Sequence, residues 1–325
     1  MGSISTRWCW VVSSLGEVIL PRRGPKFIFF GGKGGVGKSS LAAATAVWLA
    51  EHGYKTLLAS TDTQKSQNDI FQREVGGEET RIPEVENLWI INVDPKESIR
   101  QHQLEVLRRI EELKDLTGEK ISEAEIRFLK EYWEKNPVLP CETASYNVFI
   151  HYMNTDRYDA IVFDTAPGYH NLEMVNYPWR YVYNLEMAIA AKREIADLTG
   201  KVAELKLLEK LRDESYAAIK KLASDQTVYF LVTQPEMLPV YEVRRIQDSL
   251  KPYGIRVKGV FINSVLPREY CKEGFFLKRR LLQEKYINLV KKEFDDLPIV
   301  EVPLLDTEVV GLENVRRLST LIYGR

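Results

Sequence analysis

Cysteine is scarce in this chain: Cys9, Cys141 and Cys271 are the three thiols in 325 residues, far apart and odd in number. That usage speaks against a disulfide framework and fits a reducing compartment. An excess of charge of one sign is missing too, with 45 Lys and Arg against 46 Asp and Glu. The chain as a whole is therefore not drawn to a polyanion, and no nucleic-acid partner is expected. No apolar run approaches membrane-spanning length, so no stable membrane insertion is expected either. The N-terminal stretch RWCWVVSSLGEVIL is broken by Ser13, Ser14, Gly16 and Glu17 and lacks the small-residue cleavage site of a secretory signal. Together these absences predict a cytoplasmic protein. The length is compatible with one large α/β domain or with two domains.

What is present is an alternation of two periodicities. Short β-branched or aromatic runs recur as KFIFF (26–30), KTLLAS (55–60), LWIINV (88–93), DAIVF (159–163), TVYFLV (227–232), VKGVFI (257–262) and PIVEV (298–302). Helical patterns separate them, which predicts an α/β fold, a mainly parallel, doubly wound sheet. Residues 1–24 read as an N-terminal extension, an extra strand or a loose segment, ending at the turn-forming PRRGP. Two connections are too long for simple crossovers. Over residues 96–150, Asp94, Pro95 and Glu97 open a helix, Ile99, Leu107, Ile110 and Leu113 keep its spacing, and Ser122 with Glu125 caps a second one. Over 179–224, Val202, Leu205, Leu208, Leu211, Ile219 and Leu222 form a similar stripe. These stretches predict a helical subdomain inserted into the domain spanning 25–325.

The chemistry is concentrated in FIFFGGKGGVGKSSL. Gly32, Gly37, Lys38 and Ser39 satisfy G-x-x-x-x-G-K-[ST] directly after a strand and before a helix pattern. In that setting the backbone N–H groups of the glycine-rich loop and the positive end of the next helix hold a β-phosphate. Lys38 reaches the β- and γ-phosphates and the Ser39 hydroxyl sits on Mg²⁺, so ATP and magnesium are the expected cofactors. The acid that such a magnesium site wants at the tip of a neighbouring strand is Asp164, after AIVF, followed by the compact turn Thr165-Ala166-Pro167-Gly168. Asp62, just past KTLLAS, is a second acid at the same sheet edge, placed to orient an attacking water. One lysine remains unexplained by the loop itself: Lys33.

GGKGGVGKSS resembles the deviant Walker A loop of the P-loop class that contains the arsenite-pump ATPases, the tail-anchored-protein targeting ATPases, MinD, ParA and the nitrogenase iron protein. The resemblance implies that Lys33 reaches across a two-fold interface to the nucleotide of a second subunit, and hence a homodimer holding two ATP molecules. STDTQKSQNDIF (60–71) is similar to the arsenite and targeting family's S-T-D-P-A-H-S-L-S-D-x-F, which puts Asp62 on the catalytic aspartate and Asp69 on the later one. FDTAPGYHNLEMVNYP (163–178) and QPEMLPVYEVRR (234–245) resemble further blocks, with His170 in register and Glu236 on a nucleotide-contacting glutamate. Asn263 falls on the adenine-reading asparagine, and VPLLDTEVVGLENV (302–315), with Pro303 and Leu304, on the block whose backbone lies along the base. The implied nucleotide site is Gly32, Lys33, Gly34, Gly35, Val36, Gly37, Lys38, Ser39, Ser40, Glu236, Asn263, Pro303 and Leu304. Asp62, Lys33 and Lys38 are the expected catalytic residues, and Ser39 with Asp164 the metal site.

The departures from the family shape the expected function. Its zinc-binding C-x-x-C reads Cys271-Lys-Glu-Gly274 here, which leaves two thiols across a dimer where structural zinc takes four ligands, so no zinc is predicted. The arsenite-binding cysteine cluster is missing and there is one phosphate loop, which argues against an arsenite-pump subunit. Switch I carries Thr63-Gln64-Lys65 in place of Pro-Ala-His. The second helical stretch holds only Met187 and is interleaved with Lys192, Arg193, Glu194, Lys206, Glu209, Lys210 and Arg212, unlike the methionine-rich client groove of the targeting members. The reading that results is a magnesium-dependent, homodimeric ATP switch that handles a protein client through its helical subdomain. The alternative is a positioning ATPase resembling MinD or ParA. The basic amphipathic run KRRLLQEKYINLVKK (278–292) could serve its surface binding, but fits one face of a packed helix with solvated lysines better.

Overall fold

The computed structural model describes residues 15–61, 66–92, 127, 149–164, 169–199 and 203–324. The chain divides into two compact units, Met1–Asn92 with Asp156–Glu173 and Leu222–Arg325, and Val93–Thr155 with Met174–Lys221. All seven runs expected to be extended form strands of the first unit: β1 (Lys26–Gly31), β2 (Thr56–Ser60), β4 (Leu88–Asn92), β5 (Ala160–Asp164), β6 (Thr227–Thr233), β7 (Val257–Val265) and β8 (Ile299–Pro303). An eighth, β3 (Thr80–Arg81), pairs antiparallel with β4. The order is β3-β4-β2-β5-β1-β6-β7-β8, and every pairing except β3–β4 is parallel.

Parallel strands covered on both faces should read as near-continuous apolar runs, and β2, β5 and β6 do, with their polar residues Thr56, Ser60, Asp164, Thr227 and Thr233 at the strand ends. β2, β5 and β6 are buried at every position. Register aligns aromatic residues across the centre: Phe163, Phe29 and Tyr229 sit on paired positions of β5, β1 and β6, with Phe29 stacked on Phe163 at 4.7 Å between centroids and on Tyr229 at 6.1 Å. Phe30, one residue on and so on the opposite face, packs on Phe230 and Phe261. This aromatic layer fixes the end of β1, the strand that leads into the phosphate loop.

Helix α1 (Lys38–Glu51) is apolar around its circumference, with Leu41 through Ala50 buried. It packs on β5, β2 and β1 and against α7 (Leu312–Tyr323). The fully buried Thr45 hydroxyl donates to the Leu41 carbonyl at 2.7 Å and so accepts from the Tyr323 hydroxyl, also at 2.7 Å. Between these lie α2 (Ser66–Phe71), α5 (Met237–Leu250) and α6 (Gly274–Glu293). The expectation of an extra strand or loose segment before residue 24 does not hold for residues 15–19, which are helical. The cause is the i, i+4 pair Leu15 and Ile19, both fully buried in the main core.

In the second unit, α3 (Tyr169–Thr199, which starts in the first) and α4 (Ala203–Leu222) are long. Val182, Leu185 and Ile189 bury one face of α3, and Ser215 and Ala218 one face of α4. Polar contacts fasten the two together, Arg193 to Glu209 at 2.9 Å and the Tyr216 hydroxyl to Glu186 at 2.5 Å, and Lys221 Nζ ties α4 to the Met153 carbonyl at 2.6 Å. Pro178 lies inside α3 and has no N–H for the carbonyl of Met174, the first residue of the second unit's later segment. Leu205, Leu208, Leu211 and Ile219 of the expected stripe are half-buried. The other stripe, from Ile99 to Leu113, lies outside the described residues, as does Val202.

Candidate nucleotide site

Because its strands run parallel, the sheet brings the ends of β1, β5, β2, β6, β7 and β8 to one edge, where ligands of open α/β sheets bind. The loop Gly32–Gly37 leaves β1 there. Its glycines answer steric demands: a Cβ on Gly32 would lie 2.2 Å from the Val232 carbonyl oxygen, and Gly37 caps α1 at φ 97°, ψ 22° with Asn263 Nδ2 2.2 Å from where its Cβ would be. No side chain caps α1 and its first turn carries no acid, so its leading N–H groups and the positive end of its dipole face the loop. Lys38 is buried and folds back, its Nζ donating to the Lys33 carbonyl at 3.0 Å. The Lys33 side chain, by contrast, is exposed, as are Gly34 and Gly35, while Val36 is buried and Ser40 half-buried.

On one side of the loop stands the acid. Asp164 ends β5 fully buried. Its Oδ1 accepts from the Ser39 hydroxyl at 3.0 Å, and its Oδ2 from Gln67 Nε2 at 2.7 Å and more weakly from the Ser60 hydroxyl at 3.4 Å. A hydroxyl beside a buried carboxylate at the mouth of a phosphate loop is a set of hard oxygen donors that fits magnesium. Ser39 and Asp164 are thus brought together as expected. Asp62 lies outside the described residues, as do Thr63 to Lys65 and the turn Thr165 to Gly168. Asp69, on α2, is exposed.

The other side is a cavity of about 250 Å³ lined by Glu236, Ser264, Phe275, Arg279, Gln283 and Leu304 among others. Asn263, near the end of β7, donates to the Val36 carbonyl at 2.9 Å and so sits against the loop. Glu236 immediately precedes α5 and is paired with Arg279 at 2.8 Å. Pro303 closes β8, and Leu304, half-exposed, binds back through its N–H to the Val265 carbonyl at 2.8 Å. Gln234 links cavity and loop, donating to the Gly35 carbonyl and to the Ser264 hydroxyl, each at 3.4 Å.

Sequence reasoning missed several of these residues. Gln283 and Arg280 belong to the basic run 278–292, whose helix α6 buries Arg280, Gln283, Ile287 and Val290. That is the packed face expected of it. Its buried polar pair grips the end of β7 and the residue after it: Arg280 donates to the Leu266 carbonyl at 2.7 Å, Gln283 Nε2 to the Ser264 carbonyl at 3.1 Å, and Leu266 N to Gln283 Oε1 at 2.8 Å. The strand end they hold contains Ser264 at φ 59°. Cys271 is buried and its thiol donates to the Pro267 carbonyl at 3.2 Å. No helix among the described residues is long and apolar enough to cross a membrane.

Comparison with known proteins gives the family. The family model described as anion-transporting ATPase matches residues 25–324. A protein of Aquifex aeolicus named as an arsenical pump-driving ATPase is 34% identical over 91% of this chain and 99% of its own length. One of Halobacterium salinarum with a similar name is 32% identical over 94% of this chain, which spans 45% of that relative. A protein of Chaetomium globosum named ATPase GET3 is 28% identical over 94% of this chain and 92% of its own.

Proposed function

The chain belongs to the anion-transporting ATPase family, and from that premise we propose that this ATPase is a magnesium-dependent, homodimeric nucleotide switch that binds a protein client. The observation that carries the magnesium part is the Ser39 hydroxyl 3.0 Å from the buried Asp164 at the mouth of the phosphate loop. Ser39 and Asp164 would hold the ion, Asp164 through a water. Bound there, magnesium would supply neutralisation of the phosphate charge. The loop amides from Gly34 to Ser40 and the Lys38 ammonium hold the phosphates. Asn263, Glu236 and the Pro303-Leu304 backbone receive the base, with Glu236 exchanging its Arg279 partner on binding. Asp62 orients the attacking water.

Two features support the dimer. Lys33, the lysine that its own loop does not need, is exposed and can serve the phosphates of a second subunit, where it would neutralise developing charge as an arginine finger does. Beside the cavity, α6 and the turn before it expose apolar side chains that a monomer would rather bury: Tyr270 at 74%, Phe275 at 69%, Phe276 at 53% and Leu281 at 58%. A protein client is supported by the likeness of residues 60–71 to the motif shared with the targeting ATPases, and in the helical unit by the exposed i, i+4 pair Tyr183 and Met187.

A second reading, a subunit of an arsenical pump, is favoured by the names of the Aquifex and Halobacterium relatives. Hydrolysis assayed with and without arsenite separates the two. The switch predicts no stimulation, and a marked stimulation would favour the pump. The magnesium claim is tested by titrating a fluorescent ATP analogue with magnesium or EDTA. Tighter binding with magnesium is expected, lost in Ser39→Ala, and a response that survives Ser39→Ala would refute the assignment.

A further inference from the structure

Gln67 is fully buried on α2, and the two acceptors around it fix its amide. Nε2 donates to Asp164 Oδ2 at 2.7 Å and to the Ser39 carbonyl at 3.3 Å. Turning the amide over would set its oxygen against a carboxylate and a carbonyl, so the orientation is determined by its neighbours. The other end, Oε1, is then left buried with no donor among the described residues. A buried polar atom without a partner is costly, and this one lies on a side chain that touches both residues assigned to the metal.

We infer that Gln67 is a positioning residue for the hydrated magnesium ion, an inference that rests on the magnesium-nucleotide reading above. Nε2 occupies Asp164 Oδ2 and leaves Oδ1, the oxygen at which the Ser39 hydroxyl points, to face the metal. Oε1 is the acceptor for a proton of the ion's water shell. Magnesium keeps several waters when it binds protein, and each carries protons that need acceptors. Groups that orient such a shell through hydrogen bonds contribute to metal affinity without touching the metal. The family motif to which residues 60–71 are similar has leucine at this place, so the amide is a feature of this chain, and leucine is a replacement of suitable size.

The test is the magnesium concentration that half-saturates binding of a fluorescent ATP analogue to the full chain, for the wild type, Gln67→Leu and, should that variant not fold, Gln67→Met. Thermal unfolding without nucleotide and analogue affinity in EDTA are measured alongside. The expected result is a rise of about tenfold in half-saturating magnesium, the scale of a lost outer-shell partner, with affinity in EDTA unchanged. A merely structural role would move the unfolding temperature and both affinities together, and that pattern overturns the inference. So does a magnesium requirement within about twofold of wild type, well short of the expected shift. A wild type whose binding ignores magnesium overturns the underlying reading and this inference with it, whereas a wild-type dependence kept by the variants overturns the inference alone.

Discussion

Gly37 is where backbone geometry and a neighbouring side chain make the same demand, and replacing it by alanine gives a quantitative prediction. At φ 97° an L-residue pays about 1–2 kcal/mol for the left-handed conformation. The added Cβ also lands 2.2 Å from Asn263 Nδ2, so Asn263 must leave the Val36 carbonyl, for a further cost of about 0.5–1.5 kcal/mol. Gly37→Ala should therefore cost about 1.5–3.5 kcal/mol. Asn263→Ala alone should cost about 1 kcal/mol, the one hydrogen bond. In the double variant that bond is lost only once and the clash has no partner, so its cost should be no greater than that of Gly37→Ala. The predicted coupling is about 1 kcal/mol, within the range for residues in direct contact. Equilibrium urea unfolding of the wild type and three variants measures it. Costs that add to within about 0.3 kcal/mol, as for independent sites, would refute the claim that Asn263 and the loop share one packing constraint. Nucleotide affinity should fall further than stability in Gly37→Ala, because the loop amides move with the backbone.

Two other perturbations bear on the site and on the core behind it. Lys33→Ala should abolish hydrolysis while leaving ATP binding measurable, because the loop's own grip comes from Lys38; an unchanged turnover would remove Lys33 from the mechanism. The hydroxyls of Tyr229 and Tyr323 are pushed above the ordinary tyrosine value of 10.0 by burial, so the fold keeps both protonated. Their contribution to stability is then full below pH 10.0, the unfolded value, and is lost as pH rises above it. Absorbance titration should show both ionising only as the chain unfolds, and Tyr323→Phe should reduce that alkaline step; two tyrosines ionising in the intact fold at the ordinary value would contradict the burial.

Much of the sheet was legible because parallel strands buried on both faces read as near-continuous apolar runs, as LLA of β2 and VYFLV of β6 do between their terminal Thr and Ser residues. β3 was not, since two residues, Thr80 and Arg81, carry no run and pair only at the antiparallel edge. The phosphate loop, Ser39 and Asp164 were readable from spacing. Asn263, Glu236 and Leu304 came only through resemblance, because nothing in their local sequence marks the edge to which the topology brings them. Gln67, Arg280 and Gln283 escaped because polar residues on helices read as solvated. Gln67 did carry a signal: with Ile70 and Phe71, the other buried residues of α2, it completes an i, i+3, i+4 face.

The central claim is that ATP brings two copies together across Lys33. The measurement that tests it most directly is the molar mass of the Asp62→Asn protein by light scattering, with and without MgATP. The substitution removes the residue proposed to orient the water and should trap the closed state. A mass of two chains, 75 kDa from twice the 37.5 kDa subunit, that persists or forms with MgATP is the predicted result. A mass that stays at 37.5 kDa under both conditions would contradict it.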